Sequence, residues 1–178
     1  MERICEYDLE MEKNSRKQLL RISRELECTE ADYNLHTGAM VMDFFRDNYN
    51  LHLKSEEYVY LVAADKKCHV LGILQIAHGT VDHAFVGQRE IAIRMLLLGA
   101  VNGILIHNHP SGDAKPSKED YRLTGTIEKM FRYIGLRLLD HVIIGRDSYF
   151  SMLENGMMNK AIYENPIWLF YCERMEKV

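Results

Sequence analysis

Between residues 103 and 120 the chain has little conformational choice. Gly103-Ile104-Leu105-Ile106 is a short apolar run suited to a buried strand. It passes directly into His107-Asn108-His109-Pro110-Ser111-Gly112. Two of the chain's three prolines, Pro110 and Pro116, follow within a few residues and fix the backbone there. Ser117-Lys118-Glu119-Asp120 has the spacing of a capping box, so a helix is predicted to start at Ser117. Leu123, Ile127, Met130, Phe131 and Ile134 form its apolar stripe, and Gly135 stops it.

The flanking sequence extends this pattern. Tyr58-Val59-Tyr60-Leu61-Val62 has strand composition, Asp65-Lys66-Lys67 reads as a turn, and Cys68 to Ile76 reads as the return strand of a hairpin. Residues 77–87 read as loop, and Arg89 to Leu98 as a helix that makes a strand–helix–strand crossover to the 103–106 run. Leu136 to Ile144 is another strand, and Gly145-Arg146-Asp147-Ser148 turns into Tyr149-Phe150-Ser151-Met152. A helix is predicted over 37–49, with Met40, Phe44 and Phe45 on one face. The sum is an α/β domain with a mixed central sheet flanked by helices. It occupies residues 38–152, preceded by a helical extension over 1–37 and followed by a tail over 153–178. Ile167-Trp168-Leu169-Phe170-Tyr171 in that tail should dock on the domain.

Composition narrows the function classes. The chain has 178 residues, of which 47% are hydrophobic, which suits one soluble domain with a real core. No apolar run reaches the ~18 residues a membrane helix needs. Met1 to Arg24 is crowded with charge and shows no signal-peptide core, so a cytoplasmic location is expected. Cys5, Cys28, Cys68 and Cys172 are far apart, form no CxxC and read as free thiols. The net charge of −4 argues against a nucleic-acid module that works by bulk charge. A local basic stripe, Lys13, Arg16, Lys17, Arg21 and Arg24, interleaves with Leu19, Leu20 and Ile22 and suggests an amphipathic helix with a solvated face.

The chemistry concentrates at the 103–120 segment. His107 and His109 are two apart at a strand end, so alternation puts both imidazoles on one side. Asp120, in the first helical turn, can point back at the same spot. Two neutral imidazoles and a carboxylate make a three-ligand zinc site with its fourth position open to water, the pattern of catalytic zinc. Plainer roles exist: loop histidines are often only polar, and a cap alone explains Ser117 with Asp120. Both roles of Asp120 are compatible, because a helix N-terminus favours the charged carboxylate that a metal also needs.

His-x-His-Pro followed by Ser-x-x-Asp, carried here by His107, His109, Pro110, Ser117 and Asp120, resembles the signature of the JAMM (MPN, JAB domain) metalloproteases. The stretches HNHPSGDAKPSKED and GLRLLDHVIIG resemble the RadC-like branch, over roughly residues 38–152. Ala114-Lys115 departs from that branch, where a proline is common, without touching a ligand position. The helix-hairpin-helix region of longer relatives has no counterpart in residues 1–37.

The resemblance implies a JAB/MPN-like fold, a Zn2+ cofactor and hydrolysis of peptide or isopeptide bonds in a peptide or protein substrate. It implies that Glu57 is the general base, taking a proton from zinc-activated water and passing it to the leaving amine. It implies that the Ser117 hydroxyl hydrogen-bonds the developing oxyanion. Glu56 and Glu57 should face opposite sides of their strand, and the family register selects Glu57. Asp140-His141 reads as a buried strand pair or as support for a ligand. His78 and His83 are candidates to line the cleft, whereas His36, His52 and His69 read as incidental.

Two other functions compete with this reading. A zinc deaminase would need His-x-Glu and Pro-Cys-x-x-Cys, and the chain has neither. A DNA-repair-associated or protein-binding module of RadC type remains the alternative, with DNA binding expected to be weak.

Overall fold

A computed structural model describes residues 2–12, 17–28, 35–79 and 87–158. The elements run β1 (Glu2–Met11), β2 (Gln18–Cys28), α1 (Gly38–Tyr49), β3 (Glu57–Ala64), β4 (Val70–Gly79), α2 (Gln88–Leu97), β5 (Asn102–Asn108), α3 (Lys118–Tyr133), β6 (Arg137–Ile144) and β7 (Tyr149–Ser151). The strands form one sheet in the order β2-β1-β4-β3-β5-β6-β7. β3 runs antiparallel to both β4 and β5, β5 and β6 are parallel, and β6 and β7 are antiparallel. The expected α/β domain with a mixed sheet is what the structure shows.

Alternation along the strands builds the layers. Tyr60, Val62, Ile104, Ile106, Val142 and Ile144 point to one face, where they pack with Phe44 and Phe45 of α1. Val59, Leu61, Leu105, Leu138 and Ile143 point to the other, against Ile91 and Met95 of α2 and Ile127 and Phe131 of α3. All seven residues of β5 are buried, as a central strand sandwiched by helices must be. β5, α3 and β6 form a crossover between adjacent parallel strands. The crossover through α2 joins β4 to β5, which are parallel to each other with β3 between them. Residues 77–79, expected as loop, continue β4.

The helical extension expected over 1–37 is corrected. Residues 2–11 and 18–28 form a β-hairpin, and β1 adds to the free edge of β4 through Glu6 and Ile73. The amphipathic helix expected from the 13–24 basic stripe is therefore a strand from Gln18 onward. Leu19, Leu20, Ile22 and Leu26 fit helical spacing in isolation, but β propensity depends on what a strand can pair with. Here β2 pairs with β1, and β1 in turn docks on the edge of β4, a distant part of the sequence, through Glu6 and Ile73. Ile4 and Leu26 enter one core cluster, and Tyr7 and Leu20 pack against the other, so the hairpin belongs to the domain. Arg3 with Glu25 at 2.6 Å and Arg21 with Glu10 at 2.8 Å place paired charges along the outer strand. Charge of this kind discourages edge-to-edge association.

No helix among the described residues is long and apolar enough to cross a membrane. Among the described residues, neither Cys5 nor Cys68 is in a disulfide. The docking expected of the tail falls on residues 159–178, which lie outside the described residues.

Candidate metal centre

The site forms where β5 ends and α3 begins. Leu105 and His107 share the sheet face covered by α3, and His107 is 1% exposed. One residue past the strand, the His109 N–H donates to the Ile144 carbonyl of β6 at 2.9 Å. The loop then folds over the start of the β6–β7 turn, where the Arg146 N–H donates to the Gly112 carbonyl at 3.0 Å. Gly145 makes this approach possible, since a Cβ there would lie 2.5 Å from the Gly112 oxygen. The docked loop brings the Asp113 carbonyl to 2.8 Å from His109 Nδ1.

Asp120 comes from the first turn of α3 through the capping box expected on sequence. Ser117 Oγ accepts from the Asp120 N–H at 3.1 Å, and Asp120 Oδ2 accepts from the Ser117 N–H at 2.6 Å. Such a cap contributes on the order of 1 kcal/mol. It also points the buried carboxylate at the histidines: Asp120 Oδ1 is 3.1 Å from His107 Nε2, and Oδ2 is 3.4 Å from His109 Nε2. The two Nε2 atoms are 3.0 Å apart. The donor atoms of His107, His109 and Asp120 all lie within 4.8 Å of one another.

Hydrogen-bond directions assign the tautomers. Thr124 Oγ1 donates to the Asp120 carbonyl at 2.6 Å, so it accepts from His141 Nδ1, also at 2.6 Å. His141 Nε2 then carries a lone pair and accepts from His107 Nδ1 at 2.8 Å. That leaves His107 Nε2 bare and aimed at the site. His109 Nδ1 donates to Asp113, so its Nε2 is bare as well. His141 is fully buried, and burial, followed by the neighbouring His107, holds its pKa well below the usual histidine value. It is a buried strand histidine and a support for His107 at once. Asp140 turns away: Ser151 Oγ donates to its Oδ2 at 2.5 Å, and the Leu153 N–H donates to its Oδ1 at 2.9 Å.

Three lone-pair-bearing atoms in contact repel unless a cation lies among them. The hydrogen bond to Asp120 raises the His109 pKa against the opposing effect of burial, and the Asp113 carbonyl and the charges of Asp120 and Glu57 add to the rise. Burial pushes Asp120 up, but its bonds to His107, His109 and Ser117 outweigh that and hold its carboxyl far below the usual range. The residues also fit a metal. A tetrahedral ion about 2.0–2.1 Å from each ligand requires ligand atoms roughly 3.3 Å apart. Two imidazoles and one carboxylate suit zinc.

His109 and Asp120 line a cleft of about 550 Å³, with Glu56, Glu57, Ser117 and Glu119 around it, and the buried His107 lies directly behind them. Val59 pairs with His107 across β3 and β5, and strand alternation carries Glu57 onto the same face as His107 and His109. Glu56 pairs instead with His78, whose ring stacks on Tyr58 at 4.1 Å. His78 is not among the cleft-lining residues, and His83 lies outside the described residues. His69 bonds Asp65 in the β3–β4 turn, and neither it nor His36 or His52 joins the triad. The Ser117 hydroxyl lines the cleft, with its single proton directed at Asp120 Oδ2 at 2.7 Å.

Sequence reasoning missed Asn108 and Thr124. Asn108 sits between the histidines on the opposite strand face, so the periodicity that pairs them passes over it. Thr124 lies four residues after Asp120, a spacing that stacks the two on one helix face and could have flagged it.

A tetrahedral-capable triad at the end of a central strand, with a carboxylate beside it, defines a candidate metallohydrolase site on a mixed α/β sheet. The sequence profile of the RadC-like JAB domain matches residues 35–157, and the chain belongs to that family. Among its relatives, a UPF0758 protein of Carboxydothermus hydrogenoformans is 39% identical over 134 residues, which is 71% of this chain and 59% of the relative. A UPF0758 protein of Trichlorobacter lovleyi is 33% identical over 136 residues, 76% of this chain and 57% of its own length. One from Clostridium acetobutylicum is 38% identical over 104 residues, covering 58% of this chain and 45% of the relative. The chain thus spans about half the length of the curated relatives it matches.

Proposed function

We propose that this protein is a zinc-dependent hydrolase of peptide or isopeptide bonds, with His107, His109 and Asp120 as the metal ligands. The observation that carries the reading is the convergence of donor atoms of His107, His109 and Asp120, 3.0 to 3.4 Å apart, at a cleft that His109 and Asp120 line. When bound there, zinc supplies Lewis acidity that polarises a carbonyl and brings the pKa of coordinated water to about 7.

The protein's own residues do the rest. His141 and the Asp113 carbonyl fix the two imidazoles in the tautomers that leave Nε2 free. The Glu57 carboxylate accepts the proton of the attacking water and returns it to the leaving amine nitrogen. The Ser117 hydroxyl turns from Asp120 toward the cleft and donates to the oxygen on which charge develops. Glu56 and Glu119 leave the cleft rim acidic, which favours substrates with cationic neighbours to the scissile bond.

The test is hydrolysis of quenched fluorescent peptides and of lysine ε-isopeptides, before and after 1,10-phenanthroline treatment. Cleavage should cease with the chelator and return with added zinc. Cleavage unaffected by metal removal, or none by fully zinc-loaded protein, would count against the proposal.

A further inference from the structure

β5 stops pairing with β3 before it reaches Glu57. Their register runs only as far as Val59 with His107. Beyond that point the β5 backbone turns to its other neighbour, since the His109 N–H donates to Ile144. Pro110, next in line, has no N–H to offer. On its other side Glu57 pairs with Gly79, the last residue of β4. The end of a β ladder opens more readily than its middle, yet a general base needs a fixed position.

Asn108 fills the gap with its side chain. Its Oδ1 accepts from the Tyr58 N–H at 2.9 Å, and its Nδ2 donates to the Glu56 carbonyl at 3.0 Å. Those two backbone groups flank Glu57 on either side. The carboxamide stands in for the missing peptide unit, because it offers one acceptor and one donor in a short planar group. Asn108 is 1% exposed, so water does not replace these bonds easily. Aspartate lacks the donor, and alanine lacks both. Alternation directs the Asn108 side chain away from the face of His107 and His109, so it acts through Glu57 rather than on a substrate.

We propose that Asn108 is a positioning residue that clamps the backbone around Glu57 and aims its carboxylate at the His107–His109–Asp120 group. The proposal rests on the reading of Glu57 as the proton acceptor. It is tested with a four-member cycle: parent, Asn108→Ala, Glu57→Gln and the double variant. Each is zinc-loaded and assayed on quenched fluorescent peptides. Asn108→Ala should lower kcat roughly tenfold or more and leave KM within about threefold. It should cost nothing further in the Glu57→Gln background. Amide hydrogen exchange provides a second readout that needs no substrate. The Tyr58 amide should exchange roughly tenfold faster in Asn108→Ala, while Leu61 stays as in the parent.

An equal loss of kcat in both backgrounds, or an unchanged Tyr58 amide, overturns the proposal. Asn108→Ala with parental activity beside an inactive Glu57→Gln overturns it and leaves the reading of Glu57 standing. A fully active Glu57→Gln removes that reading and the proposal with it. If Asn108→Ala loses its fold or its zinc, Asn108→Ser takes its place, since its hydroxyl keeps some hydrogen-bonding capacity and adds no buried charge. It should fold, hold zinc and show a smaller loss confined to the Glu57 background. A second misfolded variant would make Asn108 a determinant of the fold alone, and the positioning role would fall.

Discussion

Glu56 and Glu57 are adjacent carboxylates on the rim of one cleft, yet the sheet gives them different neighbours. Glu57 lies on the face of the triad and contributes to the raised pKa of His109, whereas Glu56 is held by His78. Glu57→Gln should therefore keep fold and zinc but lose on the order of 100- to 10,000-fold in kcat. Glu56→Gln should stay within a few-fold of the parent. Assay of both on one substrate, with zinc content measured, decides the register; an inactive Glu56 variant would shift it by one residue. His141 gives a second residue-scale test. His141→Leu removes the acceptor for His107 Nδ1 and frees His107 to adopt the tautomer that blocks its own Nε2. Zinc affinity should fall roughly 10- to 100-fold, as for other partners of metal-bound histidines. A competition titration against a chromophoric chelator reads this directly, and parental affinity would show that the histidine pair does not tune the site.

The N-terminal hairpin carries the clearest element-scale consequence. Glu6 of β1 is partly buried and accepts from the Tyr49 hydroxyl at 3.2 Å, beside α1. Burial raises its pKa, against the opposing Tyr49 bond and Arg24 charge. A carboxyl with a raised folded pKa binds its proton more tightly in the fold than in the unfolded chain. It therefore favours the fold most below the unfolded pKa, and that contribution is lost as pH rises through the folded pKa. Glu6→Gln should raise Tm by roughly 1–2 °C at pH 7.5, with the gap closing as pH falls toward 4. Thermal unfolding across that range checks it, and a variant less stable than the parent at pH 7.5 would refute it. The same hairpin marks where sequence reading ended. α3 was legible because its cap, stripe and stop are local, from Ser117 to Gly135. The imidazole pair was legible because a strand period of two operates within three residues. The hairpin was not, since β1 is stabilised by a β4 edge that no local window contains. Asn108 was not, because its role arises only where the β3–β5 ladder ends.

At the scale of the whole molecule, the net charge is −4, and Arg21 and Arg24 of the basic stripe are engaged. Arg21 pairs with Glu10, and Arg24 donates to the Asn48 carbonyl and lies over the Tyr49 ring. DNA binding at physiological salt should be no tighter than roughly micromolar and indifferent to sequence. A fluorescence titration tests this, and nanomolar, sequence-selective binding would favour a nucleic-acid module over an enzyme. The sheet, by contrast, is organised around one point: β5 and the residue just after it deliver the two histidines, β6 delivers His141, α3 delivers Asp120, and the start of β3 delivers Glu57. The most direct test of the account is the zinc content of the parent and His109→Ala after exhaustive dialysis. The parent should hold about one zinc per chain and the variant a small fraction of that. Equal zinc in both proteins, or none in the parent, would contradict the assignment of His107, His109 and Asp120 as the metal centre.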